Sequence, residues 1–247
     1  SAEYFINAAD LSLSSLPLKD RPRSGVRIRL GLPDGLQFTQ LTLDQLRFYL
    51  GGLQDVAFRL QELVLGACTG AMLGLPGRAG EGTRVWLDRD AVQPVGFGDD
   101  EALLPVTQRG LSGTRLMQEY FAFPQRFMFF DVRKLAAGFA ACPGNECELV
   151  LLFSRQGEGL EGVVDAGNFA LHCAPAINLF PHRADRVQVN DSSFEFHVVP
   201  ERSAPTDYEV YSLQSVEGVT QTNEQVDFYP LFATPHSAPS GHQAYWS

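Results

Sequence analysis

The sequence predicts an α+β fold that is mainly β, with antiparallel, sandwich-like sheets and a few short helices packed against them. Three observations lead there. The chain's 23 glycines and 15 prolines punctuate short apolar runs, which suits strands and turns better than long helices. Several of those runs alternate apolar and polar residues with a period of two. Two other stretches carry the 3.6-residue period of an amphipathic helix.

The first alternating run is "VRIRLGL", with Val26, Ile28 and Leu30 opposite Arg27, Arg29 and Gly31. "PDG" then supplies turn chemistry, "FTQLTLD" continues as loop, and "QLRFYL" alternates again from residue 45 to 50. Beyond Gly51 and Gly52 the period changes. Leu53, Val56, Ala57, Leu60, Leu63 and Val64 fall on one helical face, which predicts a helix over 54–65 stopped by Gly66. The following "GACTGAMLGLPGRAGEG" is glycine-rich, lacks phosphate-loop and dinucleotide spacing, and reads as a loop.

Six aromatic rings crowd into "QEYFAFPQRFMFF", residues 118–130. Leu116, Met117, Tyr120 and Phe121 share one face of a helix over 113–123, which Pro124 forbids from continuing. "RFMFFDV" then has strand character, with Phe127 and Phe129 on one face and Met128, Phe130 and Val132 on the other. A strand apolar on both faces belongs inside a packed sheet or against a partner. At about 2–3 kcal/mol per buried Phe, such a cluster gains on the order of 15 kcal/mol before ordering entropy is subtracted. "CELVLLFS" is a second strand apolar on both faces; "FEFHVVP" and "YEVYSL" alternate as half-exposed antiparallel strands, and the tail from Thr234 reads as loop. The small-residue stretch at 136–147 is the best candidate seam, dividing the chain into β-rich parts 1–135, with two helices, and 136–247.

Composition narrows the function classes. With 247 residues, 45% hydrophobic, the chain can bury its own core without staples. A formal charge of -10 repels phosphates and argues against nucleic acid as a partner. The basic cluster Arg21, Arg23, Arg27 and Arg29 reads as a solvated strand face or a charged protein contact. No stretch of about twenty apolar residues lacks charge or proline, and the N-terminus lacks signal-peptide order. The expectation is a soluble piece of an internal region, in a reducing cytoplasm given four sparse cysteines.

Four constellations invite chemistry. His172 and Cys173 suggest a thiol hydrolase, but adjacent side chains on an extended segment point to opposite faces, and no cysteine-protease signature surrounds them. Cys142 and Cys147 flank a turn and suggest a local disulfide, or half of a zinc site that would also recruit Cys173 and a histidine; the second ligand pair is missing. Asp99, Asp100 and Glu101, with Asp88 and Asp90 upstream, suggest calcium, yet match no EF-hand and suit a capped helical turn. The aromatics together with these acids leave open a carbohydrate- or calcium-binding module. No catalytic, cofactor-binding or metal-binding residue is assigned.

Five ordered stretches carry a resemblance: "LTLDQLRFYLGG", "VGFGDDEALLP", "GTRLMQEYFAFPQRFMFFDV", "LHCAPAINLFP" and "YEVYSLQSV". From residue 26 to about 220 the chain resembles the TssF family, also called VasA or ImpG, baseplate subunits of bacterial type VI secretion. The resemblance implies a structural subunit without enzymatic activity or cofactor. It also implies wedges built with TssG, TssK and a second TssF copy, in a cytoplasmic baseplate that docks on the membrane complex without inserting and primes contractile-tail assembly. Family members are considerably longer, so a middle portion is expected.

Overall fold

The alternation around Val26 becomes β2 (Ser24–Gly31) in a computed structural model that describes residues 1–6, 21–77, 84–106, 111–190, 192–193, 195–231 and 244–246. Contacts divide the chain into two units, Ser1–Ala176 and Ile177–Ser247. In the first unit, β2 lies between β1 (Ala2–Ile6) and β8 (Glu146–Phe153), followed across the sheet by β4 (Cys68–Gly74) and β5 (Arg84–Asp88). A second sheet has the order β6 (Val92–Pro94), β7 (Phe129–Arg133), β3 (Gln45–Leu50) and β9 (Phe169–Ala170). Every pairing in both sheets is antiparallel.

The two sheets share one core. Val26, Ile28, Leu149, Leu151 and Phe153 come from the five-stranded sheet, and Phe48, Leu50, Phe130 and Val132 from the four-stranded one. The β3–β7 register places Phe48 opposite Phe130, and their rings stack with centroids 5.3 Å apart. The sequence-predicted double burial of β8 holds: Val150 and Leu152 form a smaller cluster with Met72 on the opposite face, flanked by Phe5 and Trp86. The helix α1 (Gln54–Gln61) continues as a π-helical turn over Glu62–Gly66 and buries Val56, Ala57, Leu60, Leu63 and Val64 as expected, while Leu53, placed on the same face from sequence, stands exposed just before the helix.

Two expectations in this unit are corrected. The glycine-rich stretch after Gly66 contains β4, a buried strand paired with both β8 and β5. Its glycines serve close approach: a Cβ on Gly70 would come within 2.3 Å of the Trp86 ring. The strand expected from Arg126 begins at Phe129, because Pro124–Phe127 forms a 3-10 turn with proline at its start. Residues 136–147, where the sequence suggested a seam, carry α3 (Ala136–Ala140) and the turn into β8. There Phe139 stacks on Phe38 at 5.2 Å, and a Cβ on Gly138 would meet Leu73 at 2.4 Å.

In the second unit, β10 (Val216–Val219) pairs antiparallel with β11 (Gln225–Pro230), and β12 (Ala244–Trp246) adds in parallel, where the sequence suggested loop. Most of the tail from Thr234 lies outside the described residues. The described parts of "FEFHVVP" and "YEVYSL" are not in a sheet. One backbone bond, from the Asp185 amide to the Val199 carbonyl at 3.0 Å, ties the first to its surroundings. Alternation decides which side chains share a face; a strand also needs a neighbouring backbone to bond. His182 and Tyr208 stack at 5.1 Å in this unit.

Phe130→Ala is expected to lower the unfolding free energy by about 3–5 kcal/mol, read from the shift of the urea midpoint at constant slope.

Candidate functional site

The helix α2 (Ser112–Ala122) starts after Leu111 and ends before Pro124, with the Phe123 amide donating to the Glu119 carbonyl at 2.8 Å. Its extent follows the sequence; its orientation reverses it. Leu116, Met117, Tyr120 and Phe121 mark the side expected to pack on a sheet. Instead Met117, Tyr120 and Phe121 are 61%, 51% and 78% exposed, while Arg115 and Glu119, one turn apart, are buried.

The cause lies beneath the helix. Arg126, on the 3-10 turn that follows, is 1% exposed and ion-paired with Glu119. Glu119 also accepts from the Arg115 guanidinium at 3.1 Å and from the backbone amides of Leu103 and Leu104 at 3.1 and 2.9 Å. Arg115 reaches Asp99 at 2.8 Å, and Arg126 donates to the carbonyls of Gly96 and Glu101 at 2.7 and 3.0 Å. Burial, then the neighbouring Arg115 cation, lowers the Arg126 pKa from that of a free guanidinium, against the attraction of Glu101. A buried charge must be paired, so the charged side of α2 faces inward and its apolar side faces out.

The six rings of 118–130 therefore split. Phe127, Phe129 and Phe130 are buried, whereas Tyr120, Phe121 and Phe123 are exposed. Tyr120 bridges the groups, 5.7 Å from Phe121 and 5.9 Å from Phe127. Phe97, half exposed, extends the patch by packing on Phe127 at 5.1 Å.

The acids proposed as calcium ligands are distributed among other partners. Asp99–Glu101 forms a 3-10 turn, the structure its sequence suited. Glu101 pairs with Arg47 at 3.1 Å and accepts from the Gly96 amide at 2.7 Å; Asp90 pairs with Lys134 at 2.6 Å, and Asp88 accepts from the Trp86 indole at 2.8 Å. Asp100 stays on the exposed side of the turn. The basic cluster also turns partly inward. Arg27 and Arg29 lie 3.5 Å from buried Glu148, which Arg84 approaches at 3.1 Å, while Arg21 and Arg23 stay exposed.

His172 and Cys173 are adjacent and both exposed, but His172 takes a left-handed backbone, φ 60°, in place of the extended one assumed from sequence. The Cys173 thiol donates to the Leu171 carbonyl at 3.6 Å, and no hydrogen bond joins the two side chains among the described residues. Cys142 and Cys147 are buried with sulfurs 3.2 Å apart, as free thiols, and Cys173 is exposed elsewhere on the chain. Burial raises the Cys147 pKa and lifts Cys68 from 9.0 to about 11, so both are protonated near neutrality and poor nucleophiles. Among the described residues, no group of three or more His, Cys, Asp or Glu is arranged to hold a metal. A cavity of about 250 Å³ between Tyr49, Gly52, Gln54, Phe58 and Met128 has no acid, thiol or imidazole in its lining.

The family described as "Type VI secretion system, TssF" matches residues 1–247. The chain belongs to the TssF family. A Pseudomonas aeruginosa protein, "Type VI secretion system component TssF1", is 40% identical over 249 residues, covering 99% of this chain and 39% of its own length. A chain in the cryo-electron microscopy structure of the TssK-TssF-TssG baseplate subcomplex is 27% identical with a TM-score of 0.58, covering 86% of this chain and 40% of that one. This TssF chain therefore spans about two fifths of the length of the relatives it matches.

Glu119→Ala in the TssF chain is expected to cost about 3–5 kcal/mol of stability by stranding Arg126, whereas Phe121→Ala should fall within about 0.5 kcal/mol of the parent; chemical denaturation reads both. Below pH 9 folded and unfolded Cys68 both hold their proton. As pH rises from 9 toward 11 the unfolded thiol ionises first, so stability should fall by up to about 1.4 kcal/mol per pH unit. Denaturation midpoints measured across that range should fall less steeply in Cys68→Ala.

Proposed function

We propose that this chain is a structural, non-enzymatic part of a type VI secretion baseplate wedge. In this reading it assembles with TssG, TssK and a second TssF copy to support the contractile tail. The carrying observation is the TssF match over residues 1–247, joined to the structural likeness with a chain of the TssK-TssF-TssG baseplate subcomplex. The geometry agrees. The acids that suggested calcium mostly serve arginines, lysine and backbone amides, and an apolar surface stands outward on α2.

A formal charge of -10 disfavours phosphate-rich partners, which suits a protein-only assembly. No helix among the described residues is long and apolar enough to cross a membrane. We place the subunit at the cytoplasmic side of the inner membrane, held there by its partners.

Full-length protein co-expressed with TssG and TssK should co-purify with both as one complex under native conditions. Recovery of the protein alone would count against the reading. In the same strain Cys173→Ser should leave secretion intact, and loss of secretion by a folded Cys173→Ser protein would revive a thiol-dependent activity.

A further inference from the structure

We propose that Cys142 and Cys147 are a peroxide-sensitive dithiol, which closes to a disulfide inside the folded subunit and joins the turn after α3 to the start of β8. The proposal stands apart from the assembly role, because the chemistry lies within one chain.

The two sulfurs are placed for it. They lie 3.2 Å apart, both wholly buried, at the two ends of the turn "CPGNEC". A disulfide holds its sulfurs about 2.0 Å apart, so closing the bond asks for a movement of about 1 Å. Each end is anchored. The Cys142 amide donates to the Phe139 carbonyl at 3.0 Å, while Cys147 is held in β8 opposite Leu30, its thiol donating to the Gly74 carbonyl at 3.4 Å. The turn between them is pinned as well: the amides of Leu32 and Phe38 donate to the carbonyls of Asn145 and Gly144 at 2.8 and 3.0 Å. Once one sulfur is oxidised, the other meets it before any thiol from solution can.

The surroundings select the reaction. Among the described residues no third metal-binding side chain is grouped with the pair, so a metal has too few ligands here. Pro143, Asn145 and Glu146 are exposed, which leaves the sulfurs under a single layer of surface turn. Local opening of that turn admits a small oxidant such as hydrogen peroxide.

Cys142 is the attacking sulfur. It lies outside the sheet, and although burial raises its pKa, the hydrogen bond from Cys147 draws it back down; burial raises Cys147, and Cys142 adds to that rise. The Cys142 thiolate takes one oxygen of the peroxide and becomes a sulfenic acid; the O–O bond breaks, and the second oxygen leaves as water with the proton that Cys142 gave up. The Cys147 sulfur then attacks the Cys142 sulfur. The S–O bond breaks, and the departing hydroxide takes the Cys147 proton and leaves as a second water. Two electrons pass from the thiols to the peroxide.

The test uses reduced full-length protein, treated with hydrogen peroxide in native buffer, then unfolded, alkylated and digested with trypsin. Cleavage after Lys134 and Arg155 leaves both cysteines on one peptide with no other thiol. Alkylation of that peptide should fall at least about tenfold, with a loss of two hydrogen masses that dithiothreitol restores. Cys68, buried without a thiol hydrogen-bonded to it, should still alkylate and serves as the control. In Cys147→Ala, dimedone should trap Cys142 as its sulfenic acid. Full alkylation of the wild-type peptide after peroxide would overturn the proposal, as would a disulfide that forms only in urea or that links either cysteine to another peptide. A wild-type disulfide with no dimedone adduct on Cys142 in the variant would overturn its assignment as the attacking sulfur.

Discussion

Glu119 is the constraint on which the outward surface depends. Its carboxylate sits between two buried guanidiniums and accepts two backbone amides as well, so it fixes α2, the 3-10 turn that carries Arg126, and the 103–104 backbone at once. Stranding one charge in such a site costs about 3–5 kcal/mol. Leaving a large apolar side chain wholly in water forfeits about 1.5–3 kcal/mol, and Met117 and Tyr120 are still partly covered. Summed over Met117, Tyr120 and Phe121 the hydrophobic loss is of similar size, about 3–6 kcal/mol, so the Leu103 and Leu104 amides, which would also lose their acceptor, tip the balance and the helix shows its apolar side to solvent.

The same solution recurs in both sheets. Asp131 on β7 is fully buried and accepts from Gln45 at 2.6 Å and from Arg47 at 2.8 Å on the neighbouring strand β3. Glu148 on β8, 2% exposed, is approached by Arg27 and Arg29 from β2 on one side of its strand and by Arg84 from β5, beyond β4, on the other. Each carboxylate sits on an interior strand with at least one cation from the adjacent strand, Arg47 for Asp131 and Arg27 and Arg29 for Glu148, where a one-residue slip of register would send the acid to the opposite face. Apolar packing supplies the gross stabilisation, while these pairs discriminate against slipped pairings.

This economy bears on function. Arg115, Arg126 and Glu119, Arg47 and Asp131, and Arg84 and Glu148 are committed to one another, and three of the four cysteines are buried. The chemistry left facing outward on α2 is uncharged and apolar, which suits adhesion between subunits better than turnover of a small molecule. Membership of the TssF family and the likeness to a baseplate subcomplex chain fit a molecule whose working parts are surfaces.

Much of the first unit was legible as pattern. Period-two alternation located β2 and β3, the doubly apolar run located β8, and the shift to a 3.6-residue period located α1 with its buried face. The glycine-rich β4 is not legible as a strand because close approach and turn formation use the same residue; Trp86, sixteen positions away, decides which applies at Gly70. The strands expected at 194–200 and 208–213 fail for a related reason, since no described backbone stands beside them in a sheet. On α2 the sequence determined the length of the helix and the existence of an apolar side. Which side faces solvent was decided only by tertiary structure, because it turns on Arg126 and the Leu103 and Leu104 amides, groups that lie off the helix and reach Glu119 only once the chain is folded.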